Sequence, residues 1–232
     1  MKAEYLYHSG DDLAVVNAAK VSFDKASDWD YQYNEVRMGD GEWVEVKDNI
    51  GLKEKDKKLI NYLAAHNHWT PFAHNSITLR MKAPVPIRTQ CFKHKQGFVE
   101  NEESRRYISS EIDIYVPDII REAPTGNVKQ GSGGEHSESR KIKRFMEQSM
   151  QHSVATYETL IDLGVCPEQA RFVLPQGAEV SWIWTGSLAA YARFYHLRND
   201  AHAQYEIRQL AKDVGVLIEP HFPVSWKALT ES

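Results

Sequence analysis

Gln90-Cys91-Phe92-Lys93-His94-Lys95, followed after a short turn by Asn101-Glu102-Glu103-Ser104-Arg105-Arg106-Tyr107, is the stretch from which the rest of the chain can be read. It gathers Lys93, His94, Lys95, Arg105 and Arg106 in a protein with 28 basic against 32 acidic side chains and a formal charge of −4. A cation patch on an anionic background holds a phosphate-bearing ligand without making a general polyanion binder. Pro86 suits the first turn of a helix over Ile87 to Lys95, and Gly97 closes it. Lys93 and Lys95 then sit where the helix dipole favours cations. Arg106 to Tyr115 returns to strand character. Arg offers a planar fork to phosphate oxygens and Lys a point charge. Glu102 and Glu103 can accept a base or ribose donor, or pair with Arg105. The competing reading is a solvated basic surface with local ion pairs.

Working towards the N-terminus, Ser76 to Lys82 alternates apolar and polar and reads as a half-buried strand ended by Pro84. Lys53 to His66 places Leu59, Ile60 and Leu63 on one face, which is helical. Residues 24–49 give no steady period and read as a loop, with a hairpin turn available at Gly39-Asp40-Gly41. Asp11 and Asp12 precede Leu13 to Ala19 as a capped helix entry. Towards the C-terminus, Thr125 to Ser139 is Gly-rich and linker-like. A long helix carries Ile142, Phe145, Met146, Val154, Tyr157, Leu160 and Ile161, and Gly164 stops it. Pro167 opens a short helix to Leu174, Ala178 to Ile183 reads as a strand, and Ser187 to Arg198 and His202 to Glu219 read as helices. The fold class expected is α+β, helix-rich with a small, mostly antiparallel sheet, as a single domain over 1–232.

The 232 residues are enough for a sizeable core, and 42% hydrophobic with 26% charged side chains is ordinary for a folded protein. The acidic balance disfavours a dedicated nucleic-acid binder. No apolar run approaches membrane-spanning length, and the start lacks a secretory h-region. Two cysteines make no disulfide framework. A reduced, cytoplasmic protein is expected.

Other clusters carry chemistry less specifically. His66, His68 and His74 match no standard zinc spacing, so no metal site is expected; Thr70-Pro71 more simply opens a turn, and Thr70 can hydrogen-bond a phosphate. Asp200 can cap a helix starting near His202, Gln204 and Arg208 share a face, and Arg198 ends the preceding helix facing any cleft formed there. Arg171 is a single cation in a short apolar helix. Cys91 lies close in sequence to Arg88, Lys93 and Lys95, which would lower a thiol pKa and open a cysteine-dependent transferase reading. Ser104 lacks an evident acid to orient a partnering His94.

Taken in order, Val21-Ser22-Phe23-Asp24, His68 to His74, Lys93-His94-Lys95 with Asn101 to Tyr107, Ala170 to Pro175, and Leu197 to Ile207 resemble the flavin-dependent thymidylate synthases. The resemblance implies reductive methylation of dUMP to dTMP, with FAD as cofactor and NADPH and methylenetetrahydrofolate as co-substrates. It implies a homotetramer with shared active sites. It puts Gln90, Lys93, Glu102, Ser104, Arg105, Arg106, Arg171 and Arg198 on dUMP, with Arg198 catalytic, beside the uracil and favouring its N3-ionised form. It puts Thr70, Lys93, His94, Lys95, Glu102, Ser187 and Arg193 on the flavin. Three departures stand out: Lys93 and Lys95 replace a pair of Arg, the loop to Ser104 is one residue longer than the family's, and Ser187 to Ala189 and Arg193 differ from the residues common there. The reading from another class is an RNA-binding module using the cluster from Lys93 to Arg106.

Overall fold

The computed structural model describes residues 1–104, 106, 111–125 and 131–231. The chain divides into two compact units, each built from three separate segments: 1–7, 78–186 and 193–217 in the first, and 8–77, 187–192 and 218–232 in the second. The described elements run β1 (Lys2–Ser9), α1 (Asp12–Lys20), β2 (Asp30–Arg37), β3 (Trp43–Gly51), α2 (Glu54–Ala65), β4 (Ser76–Pro84), α3 (Val85–Cys91), β5 (Phe98–Glu102), α4 (Ser139–Asp162), α5 (Pro167–Ala170), β6 (Glu179–Gly186), α6 (Leu188–Arg198), α7 (Tyr205–Ile218) and α8 (Pro223–Thr230). Helices dominate and a four-stranded sheet runs β1-β4-β6-β5. The expected α+β class is the one observed.

In the first unit, β5 pairs antiparallel with β6, Phe98 opposite Gly186 and Glu102 opposite Trp182. The alternation of β6 buries Trp182 and Trp184. Trp184 stacks on Phe98 at 4.1 Å and meets Phe194 edge-on at 5.0 Å. A Cβ at Gly186 would lie 2.4 Å from the Phe98 ring, so only glycine lets that ring cover the strand end. A satellite core of Ile112, Tyr157, Ala170 and Ala178 packs Val154, Leu160 and Ile161 of α4 beneath the turn after α5.

In the second unit α1, α2 and α8 pack together. Asp11 caps α1, its Oδ1 accepting from the Ala14 amide at 2.8 Å. Asp12, only 3% exposed, accepts the amides of Val224 and Ser225 at 2.8 and 2.9 Å and so caps α8. Asp56 is fully buried at the start of α2 and receives Lys20 and Ser27.

Four local expectations change. Residues 24–49 are not a plain loop: β2 and β3 form an antiparallel hairpin with Tyr33 opposite Lys47, turning at 38–42. Both faces of that ribbon are largely exposed, which hides the period-two signal. The strand after the cation cluster lies earlier than Arg106, at Phe98–Glu102; residues 107–110 lie outside the described residues, and Ile114 makes only an isolated bridge to Ala178. The helix over Ile87 to Lys95 starts at Val85, ends at Cys91 and tightens into a 3-10 turn over Phe92–His94. Asp200 caps a turn, accepting from the His202 amide at 2.8 Å, and α7 begins only at Tyr205.

Candidate functional site

Arg198 ends α6 in the first unit, where its half-buried guanidinium donates through Nη2 to the main-chain oxygen of Gln90 at 2.6 Å. Gln90 belongs to the last turn of α3, where carbonyls lack the regular helical donor and have room to accept from a side chain. Burial pulls the Arg198 pKa below its ordinary value, but a guanidinium stays charged. Gln90 Nε2 donates to Gln204 Oε1 at 2.7 Å, and Gln204 Nε2 donates to Glu206 Oε2 at 2.8 Å. These four residues help line a cavity of about 770 Å³, a size that suits a nucleotide or cofactor. Pro117, Ile119, Ile120 and Met146 give it an apolar wall.

Arg121, which carried no signal in the sequence, lines the same cavity with its guanidinium 4.2 Å from the Tyr205 ring centre. A backbone bridge to Glu135 brings it there. No motif marks such a residue, because the bridge is made across a Gly-rich segment of no regular period. Gln204 and Glu206 were within reach, since both stand in the Ala203-Gln204-Tyr205-Glu206 stretch.

The cation cluster is partly neutralised. Arg88 pairs with Glu102 at 2.8 Å, Lys95 with Glu100, and Arg106 with Glu168 at 3.5 Å. Burial, partly offset by Arg88, raises the Glu102 pKa. Lys93 and His94 are exposed, with no ion-pair partner among the described residues. Arg193 donates to the Gln96 carbonyl and so ties the turn after the cluster to α6. Ser104 Oγ accepts from the Arg106 main-chain amide and its Nε at 3.4 and 3.3 Å. Glu168, the partner of Arg106, stands in α5, one turn before Arg171, which is exposed. Ser104, Arg106 and Arg171 are not among the described residues lining the cavity of Arg198. Arg105 lies outside the described residues.

Two sequence-predicted residues belong to the second unit. Thr70 is exposed at the start of a 3-10 turn over Thr70–Ala73. Ser187 caps α6, its Oγ accepting from the Ala190 amide at 3.2 Å. His66 stacks on Tyr62 at 4.0 Å, and its Nδ1 lies 2.8 Å from the Tyr62 carbonyl.

The thiolate reading of Cys91 does not survive. Cys91 is 2% exposed, and burial pushes its pKa up to about 12, outweighing the nearby charges of Arg198 and Arg88. Proximity in sequence to cations lowers a thiol pKa only where water or the cation's field reaches the sulfur.

A family model described as "Thymidylate synthase complementing protein" matches residues 5–224. The flavin-dependent thymidylate synthase of Thermosipho africanus is 32% identical over 220 residues, covering 94% of this chain and 86% of that relative. One from Thermus thermophilus is 30% identical over 222 residues, covering 96% and 73%. The crystal structure of the UMP/dUMP methylase PolB from Streptomyces cacaoi bound with 5-Br dUMP superposes with a TM-score of 0.79 at 28% identity, covering 99% of this chain and 94% of that one. With its matched span, its fold and the order of its motifs in agreement, the chain belongs to the thymidylate synthase complementing protein family, that of the flavin-dependent thymidylate synthases.

Proposed function

We propose that this chain catalyses the reductive methylation of dUMP to dTMP, using methylenetetrahydrofolate as carbon donor and NADPH as reductant through bound FAD. The observation that carries the reading is Arg198, a fixed, half-buried cation held by the Gln90 carbonyl at a nucleotide-sized cavity in a member of this family. A preorganised guanidinium in a partly dry site stabilises negative charge on a uracil ring without reorganising as the charge develops. Gln90 and Glu102 supply further polar contacts to the nucleotide. Ser104, Arg106 and Arg171, with Arg105 added by the resemblance to the family alone, are donors suited to a phosphate.

Ser104, Arg106 and Arg171 are not among the described residues that line the cavity. That separation supports a site assembled from neighbouring protomers of a homotetramer. Each compact unit draws on three separate segments, which supports reading 1–232 as one functional domain.

The chain's donors fit a flavin dinucleotide. Lys93 and His94 are exposed cationic or polar groups without ion-pair partners among the described residues, as an anionic pyrophosphate requires. The resemblance to the family adds Lys95, Thr70, Glu102, Ser187 and Arg193 as flavin-facing positions, with Lys93 bordering the nucleotide. Bound flavin supplies the redox chemistry that these side chains lack. No helix among the described residues is long and apolar enough to cross a membrane. We place the protein in the cytoplasm, acting on free nucleotide rather than on nucleic acid.

The test is direct. Purified protein is expected to be yellow, to bleach with NADPH, and to form dTMP only when dUMP and methylenetetrahydrofolate are both present. UMP is assayed beside dUMP, because the PolB neighbour is named for both. Protein that takes up no FAD and yields no methylated nucleotide would overturn the proposal.

A further inference from the structure

Glu206, largely buried in the cavity wall, ends a hydrogen-bonded relay that runs through Gln204 to Gln90. It is 8% exposed, in the first turn of α7. A carboxylate oxygen accepts, so Gln204 must turn its amide nitrogen towards it, as the 2.8 Å contact shows. That turns the Gln204 oxygen towards Gln90, which must answer with its own amide nitrogen, at 2.7 Å. One buried acid thereby fixes the polarity of two amides. Gln90 is left with its side-chain oxygen, and no donor among the described residues reaches it. Its main-chain oxygen is already taken by Arg198.

An acceptor at this position must meet a donor on the ligand. A deoxyuridine monophosphate with an ionised phosphate has two: the ring N3–H and the sugar 3′-hydroxyl. An acceptor facing N3–H would hold its proton in place and work against the cation of Arg198, which favours ionised N3. The hydroxyl is the donor that remains. We propose that Glu206, acting through Gln204, sets Gln90 as the acceptor that reads the sugar hydroxyl of the nucleotide. Glu206 and Gln204 are positioning residues, and Gln90 is the specificity-determining contact. The inference rests on the proposed nucleotide substrate.

The experiment measures dissociation constants of dUMP and of 2′,3′-dideoxyuridine monophosphate by calorimetry on the flavin-loaded full chain. Wild type is expected to bind dUMP roughly tenfold more tightly, the scale of one hydrogen bond. In Glu206→Gln the amide at 206 can donate and both glutamines can reverse; a hydroxyl can also accept from a reversed amide, so the preference should narrow to about threefold rather than vanish. Gln204→Met cuts the relay at an exposed residue, sparing the buried carboxylate, and should give the same result. In both variants affinity for the dideoxy analogue should stay at the wild-type value. Equal binding of the two nucleotides by wild type, an undiminished preference in both variants, or an equal weakening of both ligands would overturn the relay. Wild type that binds neither nucleotide would remove the substrate reading itself.

Discussion

Arg198 donates to the main-chain oxygen of Gln90 over 2.6 Å, so a helix C-terminus and a guanidinium 108 residues apart in sequence are held as one unit. The bond uses no side-chain atom of Gln90, and α3 keeps its own backbone ladder without it. Arg198→Ala should therefore leave the fold and bound flavin in place while lowering kcat for dTMP by about a hundredfold or more, the scale for losing one preorganised electrostatic donor. Rapid-quench turnover and the flavin absorbance measure the two halves. A variant with wild-type kcat would remove Arg198 from the catalytic role.

Cys91 gives a pH signature. Its pKa is pushed up to about 12 by burial, above the ordinary value of 9.0. Between those values the unfolded chain binds fewer protons than the folded one, so stability falls as pH rises, by up to about 1.4 kcal/mol per pH unit. Tyr115, also pushed up to about 12, first by burial and then by Glu206, Asp118 and Glu179, adds the same sign from its ordinary 10.0 upward. Urea melts between pH 8 and 10 should lose the lower part of this slope in Cys91→Ala, with turnover retained. Rapid alkylation of Cys91 in the native protein at pH 8, alongside exposed Cys166, would contradict the burial.

What the sequence disclosed depended on how each signal is made. The amphipathic faces of α2 and α4 and the alternation of β4 are local patterns, and each element forms where its pattern lies. The β2–β3 hairpin has exposed residues on both faces, so its period carries no burial contrast. Arg198 and Gln90 stood out as motif residues, but Arg121 reaches the cavity through a backbone bridge that no periodicity encodes. Cys91 misled because sequence distance to Arg88 and Lys93 says nothing about the core that encloses the sulfur.

Asp12 is expected to be a stability residue. It is buried and satisfies two amides at the start of α8. Asp12→Ala removes a cap and orphans the buried Ser225 N–H and the partly buried Val224 N–H, at a cost of about 2–4 kcal/mol. Burial raises the Asp12 pKa despite those hydrogen bonds, so the folded state binds its proton more readily than the unfolded state does. Stability from this group alone therefore declines as pH rises from the unfolded pKa through the folded one. Denaturant midpoints for wild type and Asp12→Ala at pH 7 check the magnitude; a difference below about 0.5 kcal/mol, the range of ordinary surface changes, would refute the cap.

Lys93 and Lys95 replace a pair of Arg in the family signature but are not equivalent here. Lys95 carries its own counter-ion in Glu100, whereas Lys93 has none among the described residues. A paired ammonium projects a weaker net field onto an incoming anion, and both are exposed enough for salt to screen them. Lys93→Ala should weaken FAD binding about fivefold and Lys95→Ala no more than about twofold, with the gap closing between 50 and 500 mM KCl on the order expected for Debye screening. Lys93→Arg should bind FAD at least as tightly as wild type, because the planar fork adds a second donor to a phosphate oxygen. Flavin fluorescence titrations order the three variants. If Lys95→Ala proved the more damaging, Glu100 would have to be read as a ligand-displaced partner and the assignment of Lys93 as the principal cation would fail.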